Sequence, residues 1–155
     1  MGNHLIRGMD YTGVAVVFFC HDGNGKFLMG KRSANTRDEH GRWDLGGGGV
    51  EFGHTIEETL HKELREEYCI DPLDFEFLGY GDIHREHNGQ PTHWIALWFK
   101  VLVDPEKVAI GEPDMIDEIG WFTLDTIPDN VHSQLPDFLR RYHDKLEPIL
   151  MKMPS

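Results

Sequence analysis

The stretch Trp43–Ile70, WDLGGGGVEFGHTIEETLHKELREEYCI, divides into a glycine-dense loop and a charged amphipathic helix. Glycines at 46 to 49 and at 53 precede a helix predicted from about Ile56 to Tyr68. Thr55 is placed to cap its first turn, and Glu58, three residues on, completes a capping-box arrangement. Ile56, Leu60, Leu64 and Tyr68 recur at every fourth position and form one apolar stripe. Glu63, Glu66 and Glu67 stand at i, i+3 and i+4, so their carboxylates share a neighbouring face. The two faces overlap, because Glu67 lies about 20° from Leu60 around the helix axis. A carboxylate inside the apolar stripe and beside two like charges is costly unless a cation compensates.

A surface helix supported by i,i+4 pairs such as Glu58 with Lys62 is the purely structural account of these residues. The preceding glycines point to chemistry instead. Without Cβ atoms the backbone can approach a phosphate closely or offer a carbonyl to a metal. Three convergent carboxylates suit a hard, oxygen-ligated cation, Mg²⁺ above all, holding a polyphosphate.

The same residues resemble the Nudix box, G-x5-E-x7-R-E-U-x-E-E-x-G-U with U aliphatic. On this chain its defined positions fall on Gly48, His54, Lys62, Glu63, Leu64, Glu66, Glu67, Cys69 and Ile70. The carboxylates, the first glycine and both aliphatic positions match. His54 stands for Glu, Lys62 for Arg and Cys69 for Gly, and Gly46 stands where the loop is commonly Pro-Gly-Gly. The resemblance extends outward through "GKR" and "GRW" before the box and "EIGWFTLDTIP" well after it.

The chain of 155 residues and 17.9 kDa fits one domain spanning 1–155, with 39% hydrophobic and 11% aromatic residues. No apolar run approaches the ~20 residues of a membrane helix. The N-terminus lacks the apolar segment of a signal peptide, and Ile6 removes the hydroxyl that a myristoylation start needs. Cys20 and Cys69 make no disulfide framework and fit a reducing cytoplasm; Cys69 is read as a small packed thiol. A net charge of −12 argues against non-specific nucleic-acid binding. A small anionic substrate remains compatible if a metal supplies local positive charge.

Elsewhere, Gly13–Cys20 (GVAVVFFC) reads as a strand covered on both faces, and HDGNGK as a turn into a second strand, Phe27–Lys31, closing a hairpin. Asp74–Gly81 and Thr92–Val103 read as strands, with His84, Glu86, His87 and Asn88 in a loop around Asn88-Gly89. His84, His87 and His93 invite a zinc reading, but no cysteine or carboxylate stands at ligand spacing. Trp43 reads as packing rather than a base-stacking platform. Trp121–Leu124 is the last strand, Ser133–Lys145 a single amphipathic helix with Leu135, Phe138, Leu139 and Tyr142 inward, and Glu147–Ser155 a loosely held tail.

The resemblance implies the Nudix fold, an α/β architecture with a mixed β-sheet sandwiched between helices (α/β/α). It implies Mg²⁺-dependent hydrolysis of a diphosphate linkage in a nucleoside diphosphate derivative, with Mn²⁺ as substitute. Glu63, Glu66 and Glu67 with the Gly47 carbonyl would hold the metal. Glu63 or a later glutamate, Glu112 or Glu118, would act as base; Arg32, Arg42, Gly48 and His93 would meet the substrate. Similarity to MutT-like nucleotide pyrophosphatases favours a (deoxy)nucleoside triphosphate. ADP-ribose, a GDP-mannose-like nucleotide sugar, and a non-catalytic nucleotide sensor stand as alternatives, and a homodimer stays open.

Overall fold

The computed structural model describes residues 4–150, and the tail beyond Leu150 lies outside them. Its centre is β1 (Gly13–His21), whose side chains alternate between two apolar layers. Val16, Phe18 and Cys20 face one layer, and Val17 and Phe19 face the other. A strand buried on both faces is consistent with the unbroken apolar run in its sequence.

The remaining strands are β2 (Phe27–Arg32), β3 (Trp43–Asp44), β4 (Gly46–Gly49), β5 (Asp74–His87), β6 (Gln90–Leu102) and β7 (Ile116–Phe122). They form one seven-stranded mixed sheet with the path β3-β2-β1-β6-β5, to which β4 adds on β1 and β7 on β2. β1 and β6 are parallel from Gly13 opposite Trp94 to His21 opposite Leu102. Helix α1 (Ile56–Tyr68) packs Leu60, Leu64 and Tyr68 on Val16, Phe18 and Phe99. Helices α2 (Leu135–Arg141) and α3 (His143–Leu150) pack Phe138, Tyr142 and Leu146 on Phe19, Phe27 and Trp98 across the sheet. The arrangement is the expected helix–sheet–helix sandwich.

Several elements depart from expectation. The β1–β2 hairpin closes only at His21 opposite Phe27; the strands then splay, and β2 pairs with β3 and β7 instead. β4 fills the gap on β1, running antiparallel from Ala15 opposite Gly49 to Phe18 opposite Gly46. The glycine run is therefore a strand, not a loop. The segment around His84–His87 is also strand, because β5 and β6 continue to a two-residue turn at Asn88 (φ 50°) and Gly89 (φ 80°). The C-terminal helix is two helices meeting at Tyr142, and the second carries Glu147–Leu150 into the fold.

Thr55 caps α1 as its position requires, accepting from Glu58 N at 3.0 Å. Cys69 ends the helix in the left-handed region (φ 60°, ψ 30°), its N–H donating to Arg65 O, and its side chain is exposed rather than packed. A β-carbon is strained there, which is why the box has glycine at this position. Cys69→Gly is expected to stabilise the protein by about 1 kcal/mol. A higher urea midpoint at constant m would show it.

Candidate active site

The carboxylates of α1 and the glycines of β4 meet face to face. An added Cβ at Gly48 would overlap the Glu63 carboxylate, and one at Gly46 would overlap the Phe18 ring and Glu67 Oε2. None of these glycines has positive φ, so what the site uses is their lack of a side chain, not their conformational freedom. The space without Cβ atoms is occupied by Glu63 and Glu67.

Glu67 is half-buried, and its Oε2 accepts from Gly47 N at 3.1 Å. In an antiparallel ladder a residue's N–H and C=O point to the same side. The Gly47 carbonyl therefore also turns away from β1, toward the edge that Glu67 occupies. The Glu63 side chain is 13% exposed and that of Glu66 44%, so the cluster grades from interior to solvent. Burial, then the Glu66 charge, pushes Glu63 up to about 7. Burial, then the Glu63 charge, raises Glu67 well above the ordinary carboxylate range. Three carboxylates on neighbouring positions of one helix are short of positive charge, and an oxygen donor set of this kind suits a hard divalent ion.

Lys62 supplies part of the missing charge. Its Nζ lies 3.6 Å from Glu66, 3.8 Å from Glu63 and 3.4 Å from Glu51, and not in the expected pair with Glu58. Glu51 also approaches His54 Nδ1 at 3.7 Å. The carboxylate lost from the box at His54 is thus partly replaced by Glu51 from the loop.

The raised Glu63 pKa carries a sign. Below about pH 4.5 the carboxyl is protonated in both states; as pH rises through about 7 the folded state bears the cost of ionising it. Metal-free protein is expected to lose about 2–3 kcal/mol of stability from this group between pH 5 and pH 8. Mg²⁺ should reverse the loss, read from urea midpoints with and without the ion, and Glu63→Gln should reduce the slope in chelator, leaving the part that Glu67 contributes. A pH-independent midpoint would contradict the assignment.

A cavity of about 380 Å³ opens beside β4, on the sheet face covered by α2. Gly46 to Gly49 and Glu67 line one side, and Ile83, Arg85, Trp94, Trp98 and Phe138 the other, with Arg32, Arg37 and His132 at its rim. A smaller cavity of about 70 Å³ shares Arg32, Asp44 and Glu67 with it and adds Glu112. Gly111 N donates to Glu67 O at 2.9 Å, which ties the Glu112 loop to the end of α1.

Of the residues expected at the site, Glu63, Glu67, Gly47, Gly48 and Arg32 converge, with Glu66 at the outer end of the cluster. Glu118 does not; it is exposed on β7 opposite Lys31 and lines neither cavity. Arg42 turns outward, donating to Val131 O at 3.1 Å. His93 faces the other side of the sheet, because alternation along β6 gives the cavity Thr92 and Trp94. Trp43 packs edge-on against Phe122 in the core, as expected.

One network escapes sequence reasoning. Arg85 donates to Asp38 at 2.7 Å and Glu39 at 2.6 Å, Glu39 pairs with His132 at 2.8 Å, and Arg32 pairs with Asp38 at 3.1 Å. Glu39 holds these partners from a left-handed backbone conformation (φ 50°). The charge-dense RDEH at 37–40 is the only local signal of this network; Arg85 was hidden in the segment taken for loop.

The profile of the NUDIX domain matches residues 11–142. The chain is 46% identical over 111 residues to "Nucleoside triphosphatase NudI" of Enterobacter sp. (strain 638), covering 67% of this chain and 77% of that protein. It is 28% identical over 113 residues to "RNA pyrophosphohydrolase" of Acinetobacter baylyi, covering 63% and 65%. Among solved structures, a MutT NUDIX hydrolase from Burkholderia pseudomallei superposes with a TM-score of 0.73 at 26% identity, over 83% of this chain and 96% of that one. A MutT protein from Methanosarcina mazei Go1 gives 0.72 at 25% identity, over 86% and 94%.

Proposed function

The chain belongs to the Nudix hydrolase family, and on that premise we propose that it hydrolyses a (deoxy)nucleoside triphosphate to the monophosphate and pyrophosphate. The observation that carries this reading is the packing of Glu63 and Glu67 against β4, with Glu67 lining a cavity that Arg32, Arg37 and Arg85 also line. The divalent cation is Mg²⁺, with Mn²⁺ able to replace it. Such an ion would supply positive charge to offset the phosphates and would make a water molecule a better nucleophile.

Glu63, Glu66, Glu67 and the Gly47 carbonyl would hold that ion, and Gly48 leaves room for the Glu63 carboxylate. Glu112 stands beside the cluster but outside α1, where a base is needed that the cation does not occupy. Glu118 lies too far to one side for this role. Arg32, on the wall of both cavities, offsets phosphate charge together with Arg37 and Arg85. Trp94 and Trp98 give the nucleoside an aromatic wall. The name of the Enterobacter relative, a nucleoside triphosphatase, supports a triphosphate over ADP-ribose or a nucleotide sugar. Among the described residues no helix is long and apolar enough to cross a membrane.

The test is a substrate panel with product detection at millimolar Mg²⁺. Nucleoside triphosphates are expected to turn over fastest, giving monophosphate and pyrophosphate, and chelator is expected to stop the reaction. Faster release of AMP from ADP-ribose would replace the substrate assignment. Binding without turnover of any nucleotide would mark a sensor instead of an enzyme.

A further inference from the structure

On the α1 side of the sheet, opposite the cavity, the β5–β6 hairpin presents a second set of donor side chains that phosphate chemistry does not use. Asp82 and His84 are two apart on β5, and His84 stands directly across the ladder from His93 on β6. All three therefore project from one face. His93 Nε2 lies 2.8 Å from Asp82 Oδ1, and the His84 and His93 rings stack with centroids 4.2 Å apart. One donor atom from each residue lies within 4.8 Å of the other two. On sequence alone zinc is disfavoured for want of a cysteine or a carboxylate at ligand spacing. Strand pairing supplies the carboxylate in Asp82, eleven residues from His93 in the chain.

Two other groups of this kind occur among the described residues, and both differ in kind. Asp38 and Glu39 are already paired with Arg32 and Arg85, and His132 with Glu39. His143, Asp144 and Glu147 lie on one short exposed helix, with the Asp144 side chain 104% exposed. The hairpin group alone draws its donors from two paired strands, and its one ion pair is internal, between His93 and Asp82.

We infer that Asp82, His84 and His93 form a binding site for one divalent transition-metal ion of the zinc, nickel or copper class, separate from the carboxylate cluster. Two imidazoles and a carboxylate are the donors such borderline ions prefer, whereas Mg²⁺ selects oxygen ligands. Three protein ligands at an exposed face leave a coordination position open to water. Binding replaces the His93–Asp82 hydrogen bond with metal–ligand bonds and cross-links β5 to β6 close to their turn.

The test is a titration of the full chain with Zn²⁺ against a chromophoric chelator, in millimolar Mg²⁺. One Zn²⁺ per chain is expected. His84→Ala and His93→Ala should each weaken it at least about tenfold, with Asp82→Asn giving the same result should either fail to fold. Glu67→Gln and His143→Ala should leave it unchanged. Absence of binding would overturn the inference, as would binding that survives both hairpin histidine variants. So would loss of binding in Glu67→Gln or His143→Ala, which would place the ion in the carboxylate cluster or on α3. None of these results depends on which nucleotide is hydrolysed.

Discussion

Glu67→Gln is expected to lower Mg²⁺-dependent turnover at least a hundredfold while the metal-free protein becomes no less stable. The glutamine keeps the shape of the side chain and an oxygen that can still accept from Gly47 N. What it loses is the charge that holds the cation; about 3 kcal/mol of transition-state stabilisation corresponds to that hundredfold. The carboxylate is buried next to Glu63, so its ionisation burdens the metal-free fold, and neutralising it relieves that burden. Glu66→Gln, at the solvent end, should reduce turnover with a smaller change in stability. Near-wild-type turnover in both variants would remove the carboxylate cluster from the mechanism.

The second large effect separates architecture from chemistry within two adjacent glycines. A Cβ at Gly47 would collide with Val16 O and press on Val17 Cα, which are backbone and cannot turn aside. Gly47→Ala must open the β1–β4 pairing and should cost about 1–3 kcal/mol. A Cβ at Gly48 meets only the end of the flexible Glu63 side chain. Gly48→Ala should therefore fold with little loss of stability but displace Glu63, weakening Mg²⁺ binding roughly 10- to 100-fold. Denaturation midpoints and Mg²⁺ titrations of the two variants give the comparison. Equal stability losses, or unchanged Mg²⁺ affinity in Gly48→Ala, would contradict the close approach of strand and carboxylate.

These two glycines also show where sequence reasoning stopped. Helix α1 was legible to its ends because cap, apolar stripe and charged face each report helix independently. The glycine run carries no propensity, so nothing local distinguishes a strand from a loop; only the partner strand β1 makes it one. The splaying of β2 from β1 is equally non-local, since it depends on β3 and β7 arriving from elsewhere in the chain. At Tyr142 no Gly or Pro marks the break between α2 and α3, and Phe138, Tyr142, Leu146 and Leu150 keep a spacing of four across it. The site shows the same division. Glu63, Glu66 and Glu67 lie within one helix and could be read together, and Glu112 and Glu118 could be told apart only by the fold. Arg85 reaches the cavity because β5 extends well beyond Gly81, and Trp94 through alternation within the strand expected from Thr92.

Hydrolysis in ¹⁸O-labelled water tests the central claim most directly, because it reports which atom the water attacks. With Glu67 lining the cavity and Glu63 packed beside it against β4, attack is expected on phosphorus. A nucleoside triphosphate should then yield monophosphate and pyrophosphate, with the label in one of these phosphate products. A nucleotide sugar that turned over with the label only in the released sugar would mean attack at carbon, and would contradict the account of how Glu63, Glu66 and Glu67 are used.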